Sequence, residues 1–123
     1  MYYPELNLKI KHCVQTIYKQ LGPGLPDNIY RECMVHEFKI NDIDHLEEPW
    51  FPIDYKGHIL EAGLHASFII DMKIVIYVKS LEKSMGYYKM QLDSYMDFSG
   101  IKCGMIIDFN ARDLRRMIRV FLE

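Results

Sequence analysis

The sequence has no long hydrophobic run. Nothing in it approaches the ~20 consecutive apolar residues that cross a bilayer, so no membrane role is expected. Its opening, "MYYPELNLKIKHCVQ", lacks the uninterrupted apolar core of a secretion signal, and a cytoplasmic location is expected. Cysteine is scarce. Cys13, Cys33 and Cys103 are far apart, odd in number and without a C-x-x-C pair, which argues against a zinc site or a disulfide framework. Each lies in an apolar helical or strand pattern and reads as a buried small hydrophobe. Positive charge is not in excess either: fifteen basic against seventeen acidic residues give a net charge of −2. This disfavours tight non-specific nucleic-acid binding but not a local basic surface. The one basic cluster is "ARDLRRMIRV", with Arg112, Arg115, Arg116 and Arg119 as candidate nucleic-acid contacts. There is no repeat, linker or low-complexity stretch, and 123 residues suit a single domain spanning 1–123.

Half of the residues are hydrophobic and about a quarter charged, as in a packed globular fold. Leu6, Ile10, Val14, Ile17 and Leu21 recur at helical spacing and predict an amphipathic helix that stops at "GPGLP". A second helix is expected from Asp27, a good N-cap residue, through "NIYRECMVHEFKI". Ile29, Cys33, His36 and Ile40 form one side of it, and Tyr30, Met34 and Phe38 a flank, so this helix is expected to be largely covered. After "NDIDHLEEP" the period changes. "WFPIDYKGHILEAG" reads as a hairpin turning at Tyr55-Lys56-Gly57-His58. "LHASFII" and "KIVIYVKS" form a second hairpin about Asp71-Met72-Lys73, and the apolar run "KIVIYV" suits a central strand covered on both faces. Helical spacing returns from Ser84 to Ser99, with Tyr88, Gln91, Leu92, Tyr95 and Met96 on one side and Gly100 closing the helix. "KCGMIIDF" and "MIRVFL" read as two last strands. A right-handed crossover makes the strands on either side of the third helix parallel. The expected fold is a mixed α/β domain, a mostly antiparallel central sheet flanked by helices, in the order ααββββαββ.

Several strings then match a known family in order and at matching separations. They are "LGPGL" followed by Asp27 and Tyr30, the "YKG" hairpin, a short strand followed by an apolar strand ending in Lys79, Leu81-Glu82-Lys83, Gln91-Leu92-x-x-Tyr95, and the helix end Ser99-Gly100. Over nearly its whole length the sequence resembles the GxxExxY proteins, a small branch of the PD-(D/E)XK nuclease superfamily. The resemblance implies a restriction-endonuclease-like core. It also implies phosphodiester chemistry in which Mg²⁺ activates water and stabilises charge on the phosphate. Mg²⁺ takes oxygen ligands, so such a site needs carboxylates. One acid would come from the shorter strand and one from the adjacent strand, two residues before a lysine and so on the lysine's face.

Carried over residue by residue, the resemblance puts the first-strand acid at Ser67, the second at Tyr77, the lysine at Lys79, the helix glutamine at Gln91, and the name-motif glutamate and tyrosine at Asp27 and Tyr30. A histidine common near the end of the first helix falls on Tyr18, and a usual acid on Thr16. Lysine, glutamine and tyrosine are present; both central carboxylates are replaced by neutral groups. The implied site is vestigial, made of Asp27, Tyr30, Ser67, Tyr77, Lys79 and Gln91, with no intact catalytic set and no metal. Other acids substitute poorly. Asp71 lies four strand residues from Ser67, about 13 Å at ~3.3 Å per residue. Glu82 sits at an odd offset from Lys79, leaving Asp27 or Glu61 as the candidates. A hydrolytic pair of Ser67 with His65 lacks a nucleophile elbow and a partner acid. The expected function is a non-enzymatic nucleic-acid-binding (DNA or RNA) or protein-interaction module without a cofactor. Two alternatives stand beside it: an Mg²⁺-dependent nuclease with a relocated carboxylate, and a structural or regulatory homodimer.

Overall fold

The computed structural model describes residues 2–123. The chain begins with two helices, α1 (Pro4–Leu21) and α2 (Asp27–Ile40). Pro4 opens α1, where its missing N–H leaves no bond unmade, and Gly22 ends it at φ 68°. α1 buries Ile10, Cys13, Val14 and Ile17, the stripe expected from the spacing, although Leu21 is exposed. α2 buries Tyr30, Met34 and Phe38. The expectation of a largely covered α2 is corrected: Ile29 is 38% and Ile40 63% exposed. The helix meets the core through the Tyr30–Met34–Phe38 stripe, and α1 shields only part of its other side.

Strands follow: β1 (His45–Glu47), β2 (Trp50–Tyr55), β3 (His58–His65), β4 (Phe68–Ile70) and β5 (Ile74–Val78). Then come α3 (Met85–Ser99), β6 (Cys103–Ile107), the single turn α4 (Leu114–Met117) and β7 (Ile118–Leu122). The main sheet has five strands in the order β1-β4-β5-β6-β7. β5 and β6 run parallel across the α3 crossover, Ile74 opposite Cys103 through Val78 opposite Ile107, and every other pairing is antiparallel. The mixed, mostly antiparallel sheet with flanking helices is as the sequence predicts. Its element order is richer than ααββββαββ by β1 and α4. β1 hides in "NDIDHLEEP" because three residues are too few to show a period, and it exists by pairing with β4. α4 forms where Asp113 Oδ1 accepts the Arg116 N–H at 3.0 Å. The first hairpin also stands apart from the main sheet, as the two-stranded sheet β2-β3.

Both hairpins turn where the sequence indicates. Lys56 and Gly57 take positive φ, and Asp54 Oδ1 accepts the Gly57 N–H at 2.7 Å. Asp71 and Met72 do likewise, and the Lys73 N–H closes on the Ile70 carbonyl at 2.8 Å.

The sheet separates two cores. On one face Ile74, Ile76, Val78, Met105 and Ile107 pack with α1 and α2. On the other, Val75, Tyr77 and Ile106 pack with Leu92, Tyr95 and Met96 of α3. Cys13 and Cys103 are buried as expected, and Cys33 is half-buried. Burial pushes the Cys13 thiol up to about 11, so it stays protonated and inert. Among the described residues no helix is long and apolar enough to cross a membrane.

α3 lies close on β6 at Gly104, where a Cβ would come within 2.6 Å of Leu92 Cδ1 and 2.7 Å of Met96 Sδ. Gly104→Val should therefore destabilise the fold by about 1–3 kcal/mol, read as a lower urea midpoint at unchanged slope. Gly86→Ala, at an exposed position of α3 whose new methyl meets nothing closer than 3.8 Å, should instead stabilise by up to ~1 kcal/mol.

Candidate functional site

Because β5 and β6 are parallel, both finish at one end of the sheet, and the loops that follow them lie there together. The Lys79 N–H extends the ladder to the Ile107 carbonyl at 2.8 Å, so the two chains leave the sheet side by side. The GPGLP loop joins the same end, the Gly24 N–H donating to Asn110 Oδ1 at 2.6 Å. That loop is held from beneath by Tyr30. The buried ring stacks on Phe109 at 4.2 Å, and its hydroxyl donates to the Gly22 carbonyl at 2.6 Å and accepts the Leu25 N–H at 3.2 Å. Tyr30 is thus a core tether that presents Asp27, not a lining group.

A cleft of about 400 Å³ opens beside this end, between the start of α2, the end of β3, the strand β5 and the first turns of α3. Asp27, Tyr77 and Gln91 line it together with His65, Glu82, Lys83, Tyr87 and Tyr88. Three of the six sequence-derived site positions therefore meet in one cleft. Tyr77 is its floor. The ring is 6% exposed, and the hydroxyl donates to the His65 carbonyl at 2.6 Å. This bond fastens the separate β2-β3 hairpin to the main sheet. Burial, with smaller contributions from Tyr95 and Tyr87, raises the Tyr77 pKa, so the phenol stays protonated.

Ser67 lies just before β4 rather than within it. Its N–H donates to the Ile76 carbonyl at 2.9 Å, while Oγ accepts the Val78 N–H at 3.0 Å. The serine hydroxyl thus replaces a ladder carbonyl where the pairing slips. It borders a different cleft, against Arg31 and Glu48. Lys79 follows Tyr77 at the end of β5, and Nζ donates to the neighbouring Ser80 carbonyl at 3.1 Å. Among the described residues no carboxylate is within ion-pair distance of it.

The group missed in the sequence is Arg31. One guanidinium nitrogen lies 3.4 Å from Asp27 Oδ2 and the other 3.0 Å from Glu48 Oε1, so the one motif carboxylate of the cleft is already paired. The i,i+4 spacing of Asp27 and Arg31 is the signal that could have shown it. Glu61 is exposed on β3 and does not line the cleft. Asp71 pairs with Lys73 at 3.1 Å in its turn. Arg112, Arg115, Arg116 and Arg119 are all exposed, the first three in the segment that follows β6.

A family model of the PD-(D/E)XK nuclease superfamily matches residues 4–120. The chain belongs to that superfamily. The crystal structure of SSO0001 superposes with a TM-score of 0.55 at 20% identity, covering 98% of this chain and 57% of that one. That likeness concerns the fold, and the chain spans little more than half of the other's length. No curated protein matches the chain.

The chemistry of the superfamily implies Mg²⁺, and these residues do not fit it. A hard cation needs anionic oxygens. Here Ser67 Oγ is neutral and accepts a backbone N–H, Tyr77 is a protonated donor, and Asp27 already has a guanidinium. Among the described residues no group of three or more His, Cys, Asp or Glu side chains could hold an ion.

Tyr77→Phe should destabilise the protein by about 1 kcal/mol, because the His65 carbonyl loses its donor. The alkaline limb checks the cause. A phenol whose folded pKa lies above the unfolded ~10 contributes stability that is complete below that pH and is lost as pH rises toward the folded value. Wild-type stability should therefore fall above pH ~10, and the fall should be shallower in Tyr77→Phe, as followed by urea unfolding across that range.

Proposed function

We propose that this PD-(D/E)XK domain is catalytically degenerate and binds nucleic acid without cutting it. One observation carries the reading. The positions matching both metal-binding acids hold Ser67 and Tyr77, whose polar atoms are bonded to the backbone, while among the described residues Lys79 has no carboxylate beside it. Each lost charge-assisted contact is worth roughly 1.5–3 kcal/mol, so the pair would weaken a divalent ion by about 10²–10⁴-fold. The ordered motif "LGPGL"-Asp27-Tyr30 supports placing the chain in the GxxExxY branch. Nucleic-acid binding is supported by the charges gathered at the carboxyl end of the parallel strands. Lys79 and Lys83 follow β5, and Arg112, Arg115 and Arg116 follow β6. Arg116 is paired loosely with Asp113 at 3.9 Å, and among the described residues Arg112 and Arg115 have no acidic partner. Glu82, Asp108 and Asp113 share the same two segments, so five cations stand against three acids, a local positive balance despite the net charge of −2.

Incubation with single- or double-stranded DNA or RNA and Mg²⁺ or Mn²⁺ should give no cleavage above the buffer control. Reproducible cutting that Lys79→Ala abolishes would establish the alternative, an active nuclease with a relocated acid. Binding should weaken steeply with salt, and Arg115→Ala should reduce the logarithmic salt slope by about one. Salt-independent behaviour with no retention on either polymer would leave the structural homodimer.

A further inference from the structure

The cleft behind Tyr77 has a lining that phosphate binding does not require. We propose that it accepts one unstacked base of a single-stranded nucleic acid, with Tyr87 as stacking platform and Gln91 as the group that meets the base edge. This rests on the nucleic-acid-binding reading above.

Tyr87 and Gln91 are one helical turn apart on α3, so their side chains are neighbours on one face, and both line the cleft. The Tyr87 ring is 42% exposed, too open to be a core residue. It is nevertheless held in place. Tyr88 packs edge-on against it at 5.3 Å, and Tyr88 is fixed by its own hydroxyl, which accepts the Ser80 N–H and donates to Ser80 Oγ, each at 3.0 Å. The first turn of α3 is pinned as well, because Ser84 Oγ accepts the Tyr87 N–H at 3.2 Å. A rigid, accessible aromatic face is what a base stacks on, whatever its identity.

Lys83 Nζ lies 4.9 Å from the centroid of that ring. Its flexible stem lets the ammonium leave the ring for the phosphate next to a stacked base. The Gln91 side chain has no hydrogen-bond partner among the described residues, which leaves two donors and an acceptor for a base edge. About 400 Å³ lies within the size range of small-ligand pockets, ~300–1,000 Å³. In a duplex the bases are already stacked on one another, so the pocket selects for single strands.

The test is fluorescence anisotropy of the intact protein with a short labelled single strand, the same sequence as a duplex, and the free nucleoside monophosphate as competitor. The single strand should bind more tightly than the duplex. Tyr87→Ala should weaken single-strand binding roughly 5- to 150-fold, the effect of losing one stacked base, and leave duplex binding unchanged. Tyr87→Phe should bind like the wild type, since the ring face is retained, and unchanged melting of both variants checks the fold. Equal binding of single strand and duplex, unaffected by Tyr87→Ala, would overturn the base pocket while leaving nucleic-acid binding standing. Failure to bind either polymer would remove both. A monophosphate that competes as well as the oligonucleotide would overturn the polymer assignment in favour of a free-nucleotide site.

Discussion

The fold depends on the central strand β5. All five of its residues are buried, and it is hydrogen-bonded to β4 on one side and β6 on the other. Alternation along so short a strand allows no latitude. Ile74, Ile76 and Val78 must serve the core under α1 and α2, and Val75 and Tyr77 the core under α3. A one-residue slip would exchange the two sets and aim the tyrosine at the wrong core. The same register delivers Lys79 to the sheet's end and Tyr77 to the cleft floor. Packing and site are therefore set by one pairing.

On the proposed reading, that constraint explains how two acid positions can change without disturbing the scaffold. A carboxylate at position 77 would sit among Val75, Leu92, Tyr95 and Met96, where an unpaired charge is costly. Tyrosine keeps one polar atom at the tip and fills the remaining volume with ring, and that atom reaches the His65 carbonyl. Ser67 solves a different problem. Just before β4 the ladder slips, and Oγ meets the Val78 N–H that would otherwise lack an acceptor. Both residues satisfy backbone groups, so each has a structural reason to stay as it is.

Much of this was legible in the sequence, because strong periods and turn residues leave few alternatives. The α1 stripe, both hairpin turns, the parallel crossover and the strand end at Lys79 all follow from spacing. What spacing could not reveal was set by tertiary partners. β1 is three residues long and exists by pairing with β4, and α4 is a single capped turn. The buried side of α2 was misjudged because two apolar stripes compete there, and only the positions of α1 and the sheet decide between them. The cleft's lining residues come from α2, β3, β5 and α3, separated widely in sequence. Motif matching indicated Asp27, Tyr77 and Gln91. It could not indicate Tyr87, which matches no motif, nor that Tyr30 anchors the loop bearing Asp27.

On the proposed reading, the loss of the acids also bears on binding. Carboxylates near a phosphate repel it, and at about 4 Å the repulsion amounts to several kcal/mol at a protein surface. A metal-dependent nuclease relies on its cation to reverse that sign. With Ser67 and Tyr77 neutral, the repulsion from those two positions is absent from the outset; Glu82 in the cleft lining remains, as does Asp27, which shares Arg31 with Glu48. Among the described residues Lys79 has no carboxylate partner to neutralise it. On the proposed reading, the substitutions that remove metal chemistry also let the phosphate backbone approach without an ion. Affinity in such a site should not depend on divalent cations, whereas in an acid-bearing relative it should.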